Sequence, residues 1–389
     1  MKKRVLMVLI LAALLSLSAP GLGRAPLPPV KIGAAGPFTG DLSKIGLDAL
    51  NAIRMAVDEA NANGGIDGRK IEIVEADDGG DPSKAILVAE RLAMDKAVLG
   101  VVGPMNSQTT QAALPTYQRA GLVVISQSAT NPALTDMGYK VMHRICPRDD
   151  AQGPAAARFI VEVIKAKYVY LIDDKTSYGQ GLADQVELSL KASGVKFSRG
   201  QATTDDRDFS PILTKVKAAK PDLLYLGMAN PAQAAALIKQ AAGLGLSPKY
   251  MGGDGVKERD QLIAGAGGLA EGMYVTSIGR DIKEVADARE FIRKFEGKYG
   301  AMSVFSGQSY EATNILIAAM KQASSLGASK FNRAEVLQAV AKTVSFKGIL
   351  GFPISFDPKG DVVGSSIFVY QVKGDDFAQV REYPAAAGK

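Results

Sequence analysis

The sequence predicts an α/β fold of two units, each a parallel sheet flanked by helices. From Val30 onward, strand-like apolar runs alternate with helical patterns, which implies right-handed crossovers and parallel strand pairing. The alternation restarts after Arg148-Asp149-Asp150-Ala151-Gln152-Gly153. The chain has 389 residues, of which about 365 follow an N-terminal leader, a length that suits two domains rather than one.

The leader comes first. Met1-Lys2-Lys3-Arg4, the apolar stretch Val5 to Ala19 and the spacer Ala25-Pro26-Leu27-Pro28-Pro29 read as a secretory signal peptide over residues 1–23. Its apolar core falls short of the roughly 20 residues of a membrane-spanning helix, and no later segment reaches that length. Release into the periplasm is expected. The single cysteine, Cys146, is far from the cleavage site, so no lipid-anchor cysteine and no internal disulfide are expected.

In the first unit, strands are expected at Val30 to Ala35, Ile71 to Glu75 and Val98 to Val102. Helices are expected near Leu47 to Asn61 and from Asp81-Pro82, an N-cap and first-turn pair. Two apolar runs then end in hydroxyl residues: Val101-Val102-Gly103-Pro104-Met105-Asn106-Ser107 and Val123-Val124-Ile125-Ser126-Gln127-Ser128-Ala129-Thr130. A buried strand that ends in a loop and then a helix aims free backbone NH groups beyond the strand, where a carboxylate fits without a buried cation. Ser107 is the expected N-cap of a helix running to about Arg119 and closed by Gly121. These features point to a binder of small anions or zwitterions.

The second unit has a helix to about Lys165, strand Tyr168 to Ile172, helix Leu182 to Ala192, strand Leu223 to Gly227 and helix Ala232 to Ala242. Ser210 before Pro211 is a second expected N-cap pair. Strand Met273 to Ser277 leads into helices Asp287 to Tyr299 and Ser309 to Ser325. Strand-rich sequence follows at Ile354 to Phe356 and Ile367 to Val372.

Composition excludes several classes. Without residues 1–23 the chain keeps 43 of its 46 cations against 40 acids, a small excess that argues against a nucleic-acid partner. One histidine and one cysteine exclude most metal sites and any catalytic arrangement that needs further histidines, and no metal is expected. His143 sits on an apolar run and is expected to be structural. No dinucleotide, P-loop or nucleophile-elbow motif occurs. The pairs Asp77-Asp78 and Asp173-Asp174 are expected to be solvated loop residues. Neither catalysis nor a cofactor is expected.

Gly36-Pro37-Phe38-Thr39-Gly40, Asn61-Ala62-Asn63-Gly64-Gly65-Ile66-Asp67-Gly68, Asp149 to Gly153 and Asp174-Lys175-Thr176-Ser177-Tyr178-Gly179-Gln180-Gly181 occur in a characteristic order and spacing. With them the chain resembles the type I periplasmic binding proteins of branched-chain amino-acid ABC transporters, over nearly its whole mature length. The resemblance implies two doubly wound Rossmann-like lobes, residues 24–148 with 278–354 and residues 149–277 with 355–389. They would be joined by a hinge of three crossing segments and close on a ligand.

By position, Ser107 and Thr130 resemble the family's carboxylate-binding residues, and Ser128 the residue whose carbonyl receives the ammonium together with Asp254. Tyr178 resembles an aromatic wall. Asp254 follows a strand end; apart from the resemblance it also reads as a helix N-cap before Lys257-Glu258-Arg259. The implied contact set adds Ile45, Met105, Asn106, Ala129, Ala229 and Phe305. Where leucine binders carry aromatic residues, this chain has Ile45, Ala229 and Gly307, and Asp254 is one methylene shorter than the family's glutamate. The expected ligand is an amino acid or related carboxylate with a side chain bulkier than leucine, with an amine-free aromatic acid or an amide as alternatives. Asn106 occupies a position that holds a disulfide cysteine in some relatives. The resemblance further implies an ABC permease and its ATPase as partners of a monomer. The other reading of the fold is a ligand-binding sensor.

Overall fold

A computed structural model describes residues 27–328 and 331–385. The expected signal peptide lies outside them. The first sheet contains β1 (Val30–Gly36), β2 (Ile71–Asp77), β3 (Val98–Val102), β4 (Val123–Ser126) and β5 (Met142–Arg144), all parallel, in the order β2-β1-β3-β4-β5. Helices α1 (Ser43–Ala62), α2 (Pro82–Met94), α3 (Ser107–Ala120) and the single turn α4 (Ala133–Asp136) connect them. Every residue of β3 is buried, as a central parallel strand covered on both faces requires.

The second sheet has β6 (Tyr168–Asp173), β7 (Lys196–Gln201), β8 (Leu223–Gly227), β9 (Lys249–Gly252), β10 (Tyr274–Ser277), β11 (Ser366–Lys373) and β12 (Asp376–Pro384), in the order β12-β11-β10-β9-β8-β6-β7. Its last two strands pair antiparallel. Helices α5 (Asp149–Phe159), α6 (Ser177–Ala192), α7 (Ser210–Ala219) and α8 (Pro231–Gly243) cover it. After β10 the chain returns to the first sheet as α9 (Arg289–Tyr299), α10 (Ser306–Ser325) and α11 (Arg333–Ala341). Phe291, Phe295, Ile315, Leu316 and Met320 of these helices share one core with Ile32, Leu50, Val102 and Ile125. The chain therefore passes between the sheets three times: after β5, after β10 and before β11.

Local chemistry explains most boundaries. Asp81 caps α2 as expected, its carboxylate accepting from Ser83 N at 2.7 Å and Lys84 N at 3.0 Å. Gly121 closes α3 in the left-handed region at φ 59°. Other expectations fail. Ser210 is the first residue of α7 rather than its cap; Phe209 precedes it, and Asp208 accepts from Ser210 N at 2.9 Å. Ile354 to Phe356 forms only isolated bridges to Phe346 and Val362. Strands β7 and β12 lie at sheet edges and carry too many polar residues to be read as strands from pattern.

The two aspartate pairs also depart from expectation, because loop amides replace water around them. Asp78, Asp173 and Asp174 are buried. Asp77 accepts from Phe38 N and Thr39, Asp78 from Gly80 N, and Asp174 from Thr176 and from Ala229 N at 2.7 Å. Asp173 pairs with Arg199 at 2.8 Å.

Candidate functional site

In the first lobe the strand order reverses between β1 and β3, the place where doubly wound sheets open a crevice beyond the strand ends. Gly103 follows β3 at φ 102°, and a side chain there would strike the Ala35 backbone. The chain then turns into α3. Asn106, extended at φ −93° and ψ 146°, holds the cap position, so Ser107 is the first helical residue and not the N-cap. Ser107 Oγ accepts from Asn131 N at 3.3 Å, which leaves its own proton to donate. The first-turn amides of α3 have no partner within the helix.

The loop after β4 is pinned onto this turn. Ser126 Oγ donates to Pro104 O at 2.7 Å, and Ser128 Oγ donates to Met105 O at 2.9 Å. The Ser128 hydroxyl proton is thereby engaged, and its backbone remains for a ligand. Fully buried Arg144 donates to Ala129 O and Asn131 O at 2.9 and 2.8 Å and pairs with Asp361 at 2.5 Å.

In the second lobe the order reverses between β6 and β8. Thr176 caps α6 by accepting from Gly179 N at 2.9 Å, which puts Tyr178 in the first turn. Tyr178 Oη donates to Asp254 Oδ1 at 2.9 Å and accepts from Gly255 N at 2.9 Å. Gln152 Nε2 donates to the same Asp254 oxygen at 2.7 Å and to Thr276 Oγ1 at 2.8 Å. Among the described residues both side-chain donors to Asp254 reach Oδ1, and none reaches Oδ2. Burial pushes the Asp254 carboxyl up to about 6, against the opposing hydrogen bonds from Gln152 and Tyr178. Asp149 is held well above the usual range by burial and by the nearby Asp254. Asp254 opens a short 3₁₀ turn, Asp254–Val256, and Glu258 is the residue that caps the following helical turn.

One pocket of about 380 Å³, partly open to solvent, collects Ile45, Met105, Asn106, Ser107, Ser128, Tyr178, Ala229, Asp254 and Phe305. Leu42 and Gly255 complete it, and the sequence reading missed both. It also missed Gln152, which donates to Asp254, and Arg144, which holds the loop after β4 by its carbonyls. The spacing Asp149-x-x-Gln152 was the available sign, because residues three apart share a helix face.

Three expected residues lie elsewhere. Ala129 and Thr130 are buried within the loop after β4 and do not line the pocket. Thr130 faces Asp149 instead. Gly307 points into the first lobe, where a side chain would meet Ile282 and Leu350. His143 is buried, stacks edge-on with Phe356 and is kept neutral by burial, which lowers it to about 4. Among the described residues no group of three or more His, Cys, Asp or Glu side chains is arranged to hold a metal ion. A larger hollow, about 1010 Å³ and open to solvent, is lined by opposed charges such as Lys44, Lys257, Glu258 and Asp281.

The chain matches the family described as "Periplasmic binding protein" over residues 29–377. It is 35% identical over 370 residues to an amino acid binding protein of Pseudomonas aeruginosa, covering 94% of this chain and 96% of that one. The leucine binding protein LivK of Thermotoga maritima superposes with a TM-score of 0.83 at 26% identity, covering 91% of this chain and 98% of that chain. LivJ of Streptococcus pneumoniae, solved with isoleucine, gives 0.80 at 28% identity, covering 92% and 99%. With two lobes that each open a crevice at a strand-order reversal, and this agreement along its length, the chain belongs to the periplasmic binding protein family.

Proposed function

We propose that the pocket binds a zwitterionic α-amino acid or a related small carboxylate, and that closure of the lobes on it presents the ligand to an ABC permease powered by a separate ATPase. The observation that carries this reading is the pairing of opposite ends in one pocket. Ser107 with the first-turn amides of α3 offers donors to a carboxylate, and the unengaged oxygen of buried Asp254 offers an acceptor to an ammonium. Leu42, Ile45, Met105 and Phe305 supply an apolar wall for a side chain. The names of the relatives, an amino acid binding protein and leucine- and isoleucine-binding proteins, support this ligand class.

As a family member the protein is a solute binder that works outside the cytoplasm, not an enzyme. We place it in the periplasm as a monomer. Among the described residues we read its lobes as 27–148 with 278–365 and 149–277 with 366–385, because Phe356 and Val362 pack against the first-lobe core and Asp361 pairs with Arg144 of β5. Contacts to both lobes make the closed form the better binder, so the ligand shifts the open and closed populations. Ile45 and Ala229, standing where leucine binders carry aromatic rings, favour a side chain bulkier than leucine.

One observation favours an amine-free acid instead. Two donors, Gln152 Nε2 and Tyr178 Oη, already occupy Asp254 Oδ1, so its charge is partly satisfied without a ligand ammonium. The test is the melting temperature of protein stripped by unfolding and refolding, measured against L-leucine, L-phenylalanine, benzoate, short amides and dicarboxylates. Stabilisation by an α-amino acid that disappears in Asp254→Ala supports the first reading; stabilisation by amine-free acids alone replaces it with the second.

A further inference from the structure

Direct polar contacts join the lobes beside the pocket, and the densest group converges on one residue. Asp41 lies in the loop between β1 and α1, next to the pocket residue Leu42. Its Oδ2 accepts from Arg207 Nη2 at 3.0 Å and from Asn230 Nδ2 at 3.2 Å, and its backbone carbonyl accepts from Gln261 Nε2 at 3.1 Å. The three donors come from separate parts of the second lobe. Arg207 precedes α7, Asn230 caps α8 next to the pocket residue Ala229, and Gln261 lies in the helical turn Arg259–Ala264 after Asp254. Asp41 is absent from the pocket lining.

A second seam flanks the other side. Asn131 Nδ2 donates to Ser177 O at 2.5 Å, and Ser177 Oγ donates to Gln111 Oε1 at 2.9 Å. A side chain at Gly181 would come within 2.7 Å of Asn131 Nδ2, so α6 approaches the first lobe closely there.

We propose that Asp41 is a latch: an affinity-determining residue that never touches the ligand and acts by stabilising the closed arrangement of the lobes. This rests on the reading of the pocket as a site that closes on its ligand. Closure breaks or makes all three Asp41 contacts together, because their donors share one lobe and their acceptors the other. Apparent affinity scales with the fraction of protein competent to close, so loss of the latch weakens every ligand by the same factor. The Asp41–Arg207 pair is solvent-exposed, so its share of the effect shrinks as salt rises.

The experiment compares wild type, Asp41→Ala, Asp41→Arg and the swap Asp41→Arg with Arg207→Asp. Calorimetric titration with L-leucine and L-phenylalanine is paired with pulsed electron spin resonance distances between labels at Lys84→Cys and Lys191→Cys, recorded with and without those amino acids. We expect Asp41→Ala to weaken binding about three- to tenfold, through faster release, with Asp41→Arg weaker still and the swap recovering much of the loss. The short-distance population should fall in parallel. Affinity and distances equal to wild type in both single variants overturn the latch. If neither amino acid binds wild-type protein, the ligand class fails; the distances alone then decide, an unaltered distribution in both single variants overturning the latch and a shift to longer distances supporting it.

Discussion

The two walls of the pocket solve the same recognition problem with different chemistry. The first-lobe wall is neutral. Its loops are held by hydroxyl-to-carbonyl bonds, Ser126 to Pro104 and Ser128 to Met105, and it presents hydroxyl and amide donors without a charge. The second-lobe wall is a buried ionisable network in which Asp254, Tyr178 and Gln152 hold one another, with Asp149 close by. A carboxylate ligand can be met by backbone dipoles, which are already paid for by the fold. An ammonium needs a true counter-charge, and placing one in the interior lifts its titration toward neutrality. On the proposed zwitterion reading, the first lobe reads the acid common to many ligands, while the second decides whether an amine is required.

Several variants break or sharpen this division. The largest effect belongs to Asp254→Ala, which should weaken an α-amino acid by about a hundredfold or more, with much less change for its amine-free analogue, when both are titrated calorimetrically. Equal losses would remove the division of labour. Ser107→Ala should weaken both ligands alike, by about 1 to 3 kcal/mol, since a charge-assisted hydrogen bond disappears. Unchanged affinity would take Ser107 out of the site.

Tyr178→Phe deletes a donor to Asp254 and the acceptor of Gly255 N. A loss of about 1 kcal/mol is expected, along with an upward move of the Asp254 titration, because the Tyr178 hydrogen bond lowers it. The pH profile tests the same group. Asp254 is ionised above about 6, so amino-acid affinity should fall as pH drops through that value while binding of an amine-free acid does not follow it. A flat profile for the amino acid would show that the ammonium does not depend on this carboxylate.

A test away from the pocket concerns Asp78, buried in the first lobe and pushed up to about 7 by desolvation. The folded state holds this proton at a higher pH than the unfolded chain, so the group's contribution to stability declines as pH rises from about 4 to 7. Asp78→Asn should therefore melt higher than wild type above pH 7, with the gap narrowing as pH falls and closing near pH 4, as measured by thermal unfolding.

Much of the first lobe was legible because its signals are local. The apolar run Val98 to Val102 is β3 residue for residue, and Asp81-Pro82 and Gly121 mark helix ends by their own side chains or backbone preference. Errors cluster where a neighbour decides. Ser107 lost the cap to Asn106 because the loop after β4 claimed its hydroxyl. Asp173 and Asp174 looked solvated, yet they are buried because Arg199, Thr176 and Ala229 come to them from other segments. Gly307 seemed to belong to the pocket, but the turn of α10 directs it toward Ile282.

The sequence by itself determined the α/β alternation, the restart near Arg148, the strand ends that carry Ser107 and Ser128, and the family to which these features point. Those are properties of periodicity and short-range capping, which a chain expresses within a few residues. Only the tertiary structure decided that Leu42 and Gly255 join the pocket, that Thr130 and Ala129 do not line it, and that Gln152 and Tyr178 both donate to Asp254. Burial and hydrogen bonding between residues a hundred positions apart set those outcomes, and they exist only once the two sheets and the three crossings between them are in place.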